Sequence, residues 1–193
     1  GAKDLVCITL GTGIGGGVIV NGLLVQGASG AAGEIGHMPV VLHNGYACNC
    51  GKTGCLETVA SATGIVRVAM EEISQHPDSA LSQIYGETGS FSAKDVVDCA
   101  SEGDRYAVKV LNQVSHYLGL AVANVANVLN PEKIIIGGGV SKAGSILLDN
   151  VETYFKKYAF IRVEKSTSLA LATLGNDAGV IGAAWLVKSR LVK

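Results

Sequence analysis

The first 25 residues alternate short apolar runs with glycine and turn residues, which is the pattern of paired strands. Residues 5–10 predict a buried strand. A glycine cluster at residues 11–17 follows, and residues 18–20 and 23–25 then flank Asn21-Gly22, a dipeptide that favours hairpin turns. We therefore expect strand, loop, strand, turn and strand in this order.

Helical spacing of apolar residues dominates the chain after residue 56. Residues 57–74 and 92–101 predict helices, and Ser92 with Asp95 three positions later has the spacing of a capping box. The clearest pattern spans residues 105–129, where apolar side chains recur every three or four positions. This spacing predicts a long helix with one buried face.

Strand and helix patterns alternate again towards the end of the chain. Residues 134–136, three isoleucines, predict a strand buried on both faces, residues 143–158 predict a helix, and residues 164–171 predict another strand. Asn176 or Asp177 is expected to cap a last helix. The whole pattern predicts an α/β fold with a mixed sheet flanked by helices.

The composition is that of a folded protein, with 48% hydrophobic and 16% charged residues in a chain of 193. These values exclude disordered and collagen-like chains. The formal net charge is −1 and the basic residues form no block, so we expect no nucleic-acid partner. The apolar runs are too short to cross a bilayer and no signal peptide is evident, so we expect a cytoplasmic protein with no membrane partner.

The glycine cluster at residues 11–17 (GTGIGGG) leaves several backbone amides open to an anion and is a candidate phosphate-binding loop. Three well-known glycine motifs do not fit. A dinucleotide-binding GxGxxG loop needs a helix next, a protein-kinase loop needs HRD and DFG triplets downstream, and a P-loop needs Lys followed by Ser or Thr. A glycine-rich turn without a ligand stays an alternative.

Three of the five cysteines, Cys48, Cys50 and Cys55, fall within eight residues. An odd number in this grouping fits a secreted disulfide framework poorly. Three thiolates and one imidazole suit tetrahedral zinc, and four protein ligands leave no open position, so the predicted zinc is structural. His37 and His43 both precede the cysteines, and the spacing alone leaves either as the fourth ligand.

Two motifs together resemble the signature of the ROK family of sugar kinases and repressors. The first is residues 33–37 (GEIGH), and the second is residues 48–57 (CNCGKTGCLE). The family also has a Thr-Gly-x-Gly-Gly-Gly loop, matched by residues 12–17, and a strand followed by three glycines, matched by residues 137–139. The resemblance covers the whole chain and implies a lobe of the actin-like ATPase, or ribonuclease H-like, fold.

The resemblance also implies roles for individual residues. It makes His37 the ligand that completes the metal site of Cys48, Cys50 and Cys55, and it turns the other ring nitrogen of His37 towards a sugar. Glu34 and Glu57 are implied to accept hydrogen bonds from sugar hydroxyls beside His37. The residues implied to contact ATP are Gly11, Thr12, Gly13, Gly15, Gly16, Gly137, Gly138 and Gly139.

One departure from the family pattern affects the expected activity. ROK kinases begin with an Asp-x-Gly-Gly-Thr loop and later place an aspartate that deprotonates the sugar hydroxyl, and neither motif is present in this sequence. Asp4 lacks the context of that base. We therefore expect residues 1–193 to be the C-terminal lobe of a two-lobed kinase, with a zinc-binding segment at about residues 34–57, no catalytic residue of its own and the N-terminal lobe outside this chain.

The function implied by the resemblance is ATP-dependent phosphorylation of a hexose, with glucose to glucose 6-phosphate, a reaction of glycolysis, as the best match. It implies Mg²⁺ bound with ATP, structural Zn²⁺ and a homodimer. Two alternatives stay open: a kinase for fructose, mannose or an N-acetylated amino sugar, and the sugar-sensing domain of a ROK repressor. The intact loop at residues 12–17 favours a kinase, because a repressor does not need to hold ATP.

Overall fold

The computed structural model describes residues 1–175 and 177–191. At its centre is a five-stranded mixed sheet with the strand order β3-β2-β1-β4-β5. Antiparallel pairs join β1 to β2 and β2 to β3, whereas β4 runs parallel to both β1 and β5. The strands are β1 (Leu5–Leu10), β2 (Ile14–Val20), β3 (Leu23–Leu24), β4 (Lys133–Gly137) and β5 (Ser168–Leu171).

Helices connect β3 to β4 and β4 to β5 and flank the sheet, as predicted for an α/β fold. Among the described residues, none of these helices has the length and apolarity that a membrane crossing requires. The helices are α1 (Glu57–Ala60), α2 (Ala62–Glu71), α3 (Ala80–Thr88), α4 (Ala93–Ser101), α5 (Arg105–Leu129), α6 (Ser145–Tyr158), α7 (Ile161–Ser166) and α8 (Asp177–Leu191).

The hydrophobic core is one cluster that includes buried side chains of β1, β4 and α5, and α1, α2, α4 and α6 pack against α5. Leu111 and Leu118 are buried at the predicted helical spacing, and α5 has the predicted boundaries. In β4, Ile134 and Ile136 are fully buried but Ile135 is only half-buried, so the expected burial on both faces is wrong for this strand. A strand exposes every second side chain to the opposite face of its sheet, and here only one face is fully covered.

The second strand begins earlier than predicted, inside the glycine cluster. Gly15 and Gly17 pair with Thr9 and Cys7 of β1, so the neighbouring strand supplies hydrogen bonds that compensate for the low strand propensity of glycine. The helix predicted over residues 57–74 is also interrupted. Ser61 is extended, with φ −75° and ψ 171°, and its hydroxyl accepts a hydrogen bond from the Gly64 amide at 3.0 Å to begin α2.

Two further boundaries in the second half of the chain differ from the expectation. The strand predicted over residues 164–171 is wrong in its first part, because α7 extends to Ser166 and β5 begins only at Ser168. The helix predicted from residue 143 begins as a 3₁₀ turn, Val140–Ala143, before α6. Helix α3 was not predicted at all.

The two predicted helix caps have different outcomes in the structure. Ser92 and Asp95 form the predicted capping box of α4, with both reciprocal hydrogen bonds present. Asp177 is the first residue of α8, whereas Asn176 lies outside the described residues. Large apolar side chains are exposed along α8, including Val180 and Trp185, which are 74% and 50% exposed.

Candidate functional site

The four side chains predicted to bind metal converge in space. One ligand atom from each of His37, Cys48, Cys50 and Cys55 lies within 4.8 Å of all the others. The Cys50 and Cys55 sulfurs are 3.6 Å apart, and the Cys48 sulfur is 3.5 Å from Nδ1 of His37. Ligand atoms of a tetrahedral site with zinc–sulfur bonds of about 2.3 Å are separated by about 3.8 Å. The cluster therefore fits zinc, and it contains His37 rather than the alternative ligand His43.

Short stretches of backbone pairing bring these ligands together. An isolated antiparallel bridge pairs Cys55 with Pro39, which follows closely after His37 in the chain. This pairing brings Cys55 near His37. A second bridge, between Ala47 and Thr53, closes the loop that carries the other two thiols. Within that loop the Gly51 amide donates to the Cys48 carbonyl at 3.0 Å, which makes the tight turn between Cys48 and Cys50. A segment without long helices or strands is thus folded around its four ligand atoms.

The thiols of the cluster differ in acidity. Burial raises the pKa of Cys48, and burial together with a hydrogen bond to Cys50 raises the pKa of Cys55 to about 12. The pKa of Cys50 is lowered instead, chiefly by a hydrogen bond with the Lys52 backbone. A bound metal therefore has to displace protons from at least two of the thiols.

Two carboxylates, from Glu34 and Glu57, approach His37 from opposite sides of its ring. Oε1 of Glu57 is 3.8 Å from Nδ1, and Oε2 of Glu34 is 3.8 Å from Nε2. The Glu57 side chain is 15% exposed and that of Glu34 is 64% exposed. Because Nδ1 faces the cysteine cluster, Nε2 is the nitrogen left for a ligand, and coordination at Nδ1 would fix its direction. The arrangement offers two anionic acceptors and one ring nitrogen to a polyhydroxylated molecule.

The two glycine-rich regions predicted to bind ATP border one cavity of about 490 Å³. Gly11 and Thr12 line it from the first region and Gly139 lines it from the second. A smaller cavity of about 220 Å³ lies on the other side of Thr12 and is lined by Gly13 and Glu57. The glycine loop therefore separates a large, mostly apolar cavity from the region of the acids and the cysteine cluster.

The remaining glycines predicted to contact ATP lie outside the lining of these cavities. Gly15 and Gly16 belong to β2, while Gly137 and Gly138 lie at the end of β4. Close packing explains why Gly16 is a glycine, since a Cβ atom there would lie 2.3 Å from the carbonyl oxygen of Gly33. Contact with ATP stays a prediction for these four residues and equally for Gly11, Thr12, Gly13 and Gly139.

Sequence reasoning missed the third wall of the large cavity. The N-terminal part of α4 contributes it, while residues 140–143 extend the wall that begins at Gly139. The capping box at Ser92 was the available signal, but a cap alone gives no reason to expect a cavity. The unpredicted lining residues are Ala62, Ser92, Ala93, Lys94, Val97, Asp98, Val140, Lys142 and Ala143.

Arg67 is a further residue that the sequence gave no reason to select. It lines the smaller cavity, donates from its guanidinium to the Thr58 carbonyl at 2.9 Å and lies 5.0 Å from the ring centre of Tyr46.

Asp4, which lacks the sequence context of a catalytic base, has a structural role instead. Its carboxylate accepts a hydrogen bond from the Asn21 amide at 2.8 Å and so supports the turn between β2 and β3.

Comparison with known proteins relates this architecture to one family. The model of the ROK family matches residues 1–190. The glucokinase of Halalkalibacterium halodurans is 54% identical over 190 residues, which cover 98% of this chain and 58% of that protein. The chain thus spans less than two thirds of the length of this relative.

Solved structures show the same fold. The ROK family glucokinase from Streptomyces griseus, in complex with glucose and AMPPNP, superposes with a TM-score of 0.85 at 35% identity, over 96% of this chain and 61% of that one. A ROK family transcriptional regulator, a homologue of the E. coli MLC protein, superposes with a TM-score of 0.76 at 35% identity, over 88% of this chain and 41% of that one. The predicted actin-like fold, a mixed sheet flanked by helices, is thereby confirmed.

Proposed function

Since the chain belongs to the ROK family, we propose that it is the C-terminal lobe of an ATP-dependent hexose kinase that converts glucose to glucose 6-phosphate. One observation carries the proposal. The glycine loop borders a cavity of about 490 Å³ on one side, while Gly13 lies beside Glu57 of the acid and cysteine site on the other. A phosphate loop in this place would hold ATP next to a bound sugar.

The residues of the lobe would divide the work by chemistry. Glu34, Glu57 and Nε2 of His37 would hold the sugar hydroxyls, because ionised carboxylates accept strong hydrogen bonds from several donors at once. The amides of Thr12 and Gly13 would hold phosphate oxygens, whereas the Gly11 amide donates to the Gly13 carbonyl at 2.9 Å and shapes the loop. The mostly apolar cavity beyond Thr12 would receive the nucleoside. Mg²⁺ would enter with the ATP phosphates and neutralise part of their charge.

A structural zinc ion completes the proposed site. The donor set and the distances within it fit four-coordinate zinc held by His37, Cys48, Cys50 and Cys55. Such an ion has no open position for a substrate, so its contribution is to order the zinc-binding segment and orient His37. About one zinc per chain after native purification is the expected result of metal analysis, and a chain purified with reduced thiols and no zinc would contradict it.

The base that deprotonates the sugar is proposed to come from an N-terminal lobe outside residues 1–193. Phosphoryl transfer depends mainly on positioning and charge stabilisation, so a lobe without the base and without the first phosphate loop should turn over hardly at all. A coupled assay with a panel of hexoses tests this. The full-length protein should phosphorylate glucose best with Mg-ATP, and residues 1–193 alone should not. Sugar phosphorylation by the isolated chain would show that the base has been misplaced.

A sugar-sensing repressor domain is the second candidate, because the chain also superposes on a ROK transcriptional regulator. The residues that precede Gly1 in the full-length protein distinguish the two. A winged helix-turn-helix would support the repressor, whereas an Asp-x-Gly-Gly-Thr loop and an aspartate base would support the kinase. The cytoplasmic location and the homodimer stay predictions of the kinase proposal. Light scattering of the full-length protein would test the homodimer by measuring its molar mass.

A further inference from the structure

Glu57 lies between the glycine loop and the cysteine cluster and contacts both with different oxygens. Oε2 accepts a hydrogen bond from the Ile14 amide at 3.4 Å. Oε1 is 3.3 Å from the sulfur of Cys48 and 3.8 Å from Nδ1 of His37. With only 15% of this side chain exposed, the position of the carboxylate is set by these neighbours rather than by solvent.

The residues that follow Glu57 hold the same loop at successive positions. The Ala62 amide donates to the Gly11 carbonyl at 2.8 Å, and the Thr63 hydroxyl donates to the Thr12 carbonyl at 3.0 Å. The approach at Gly13 is so close that a Cβ atom there would lie 2.7 Å from Oε2 of Glu57. Residues 57–63 therefore support the glycine loop along residues 11–14.

Glu34 provides the contrast within the same site. It flanks His37 from the opposite side of the ring, with its carboxylate beside Nε2, and 64% of its side chain is exposed. Both acids are placed to accept hydrogen bonds from a sugar. Of the two acids, Glu57 is the one whose carboxylate contacts the glycine loop.

We infer that Glu57 is a positioning residue for the phosphate loop as well as a sugar acceptor, so that sugar binding and nucleotide binding are coupled through its carboxylate. The inference rests on the proposed kinase function. A sugar hydroxyl donating to Glu57 would fix the same group that accepts from the Ile14 amide, and a better ordered loop would bind phosphates more tightly. By linkage, bound nucleotide must then tighten sugar binding by the same factor.

The test compares variants of the full-length protein by measuring the Kd of AMPPNP with and without glucose and the KM values of ATP and glucose. Glu57→Asp keeps the charge near the phosphates but shortens the side chain, so the contact with Ile14 is lost. Glu34→Asp is the matched control. Thr63→Val removes one support of the loop and leaves unchanged the three side chains proposed to hold the sugar, Glu34, His37 and Glu57. Zinc content and Tm establish that each variant is folded.

In the wild type, glucose should tighten AMPPNP binding by about 5-fold or more, the low end of usual coupling between sites. Glu57→Asp should weaken AMPPNP binding about 3- to 10-fold without sugar, since the lost hydrogen bond is long, and should bring the coupling factor close to one. Thr63→Val should weaken AMPPNP binding and keep the glucose KM. Glu34→Asp should raise the glucose KM and leave AMPPNP binding unchanged.

Two failures are distinguishable in this design. If Glu57→Asp raises the glucose KM but leaves both the AMPPNP Kd and the coupling factor at wild-type values, the inference is wrong and the kinase proposal stands. If the wild type phosphorylates no hexose, the kinase proposal is wrong. The sugar-free AMPPNP Kd of Glu57→Asp, compared with Glu34→Asp and Thr63→Val, then still decides whether Glu57 positions the loop.

Discussion

Helix α5 and the zinc-binding segment occupy similar lengths of chain but are held in place by different forces. In α5, buried side chains such as Leu111, Leu118 and Val122 recur over about six turns, so apolar burial is spread over most of the element. The zinc-binding segment buries few large apolar side chains, among them Ile35 and Leu56, and has only short backbone pairings. Its four candidate metal ligands converge at one point, so we expect its order to depend on a bound ion.

The two regions should therefore respond differently to side-chain truncation and to loss of the metal. A helix stabilised by many contacts loses stability in proportion to the atoms removed, and the loss is shared by the whole domain. A segment ordered by one ion loses its structure when that ion is lost, while the rest of the domain keeps its own core. Metal removal and truncation of buried side chains should therefore affect different parts of the molecule.

Removing zinc should disorder the zinc-binding segment and leave α5 helical. In the full-length protein, chelation should reduce hexose phosphorylation by about 100-fold or more, because His37 loses its orientation. Limited proteolysis should cut within residues 34–57, and circular dichroism should retain most of the helical signal. Added zinc should restore activity. Cys50→Ser should reproduce the loss, whereas Cys7→Ser, a thiol in β1 outside the cluster, should not. Unchanged proteolysis after complete zinc removal would argue against a metal-ordered segment.

Truncating α5 should show the opposite behaviour. Leu118 is fully buried, so Leu118→Ala should lower the free energy of unfolding by about 2–5 kcal/mol. Val128, on the same helix, is 82% exposed, and Val128→Ala should change it by less than about 0.5 kcal/mol. Urea unfolding measures both. Folded Leu118→Ala protein should keep one zinc per chain, and a parallel loss of zinc would mean that the two regions are not independent.

Glu57→Gln should separate sugar recognition from metal binding inside the segment itself. Losing a charged hydrogen-bond acceptor costs about 1.5–3 kcal/mol, so kcat/KM for glucose should fall by about one to two orders of magnitude with zinc retained. His37→Ala should lower both zinc content and sugar use, and His43→Ala should lower neither. Unchanged glucose kinetics in Glu57→Gln, or zinc loss in His43→Ala with full zinc in His37→Ala, would refute the assignment.

The smallest effect is expected from pH on the packing of α5 against α6. Burial, with a smaller contribution from Lys157, lowers the pKa of His116, whose Nε2 lies 2.8 Å from the hydroxyl of Tyr158. The folded state therefore favours the neutral ring, and its stabilising contribution is present above the ordinary pKa and lost as pH falls through the lowered pKa. The Tm of His116→Phe should decline less than that of the wild type between pH 7.5 and pH 5.5. An equal decline would assign the acid sensitivity to other groups.

Local patterns predicted the elements that carry their own signal. The stripe of α5 and the apolar run of β1 gave boundaries that the structure reproduces, because the periodicity of each directly reports which face is buried. The beginning of β2 was missed because glycines have low strand propensity, and only the partner strand β1 makes residues 14–17 extended. Helix α7 and strand β5 are short, and the conformation of each depends on its packing against the rest of the fold. Residues 164–166 were therefore assigned to a strand although they belong to α7.

The candidate site was predictable to the extent that its chemistry is local in sequence. The spacing of Cys48, Cys50 and Cys55 is enough to suggest a metal, since a secreted disulfide framework fits an odd number of cysteines in this grouping poorly. Cavity walls carry no such signal. Lys94 and Lys142 line the large cavity from elements far apart in the chain, and their proximity depends on the tertiary fold. The contact of Glu57 with the Ile14 amide is likewise visible only in three dimensions.

The bridge between Pro39 and Cys55 has a consequence for engineering specificity. It brings the two ends of residues 40–54 together, and the Leu56 amide donates to the Met38 carbonyl at 2.8 Å beside it. With its ends joined in this way, the loop could be exchanged for the corresponding loop of another ROK family protein, provided that the core residue Val40 and the side chain of Tyr46, which packs against the core, are kept. Two of the candidate metal ligands, Cys48 and Cys50, lie within the exchanged loop. The other two, His37 and Cys55, lie outside it. Zinc stoichiometry would then serve as a direct reporter of whether a chimaera has closed correctly.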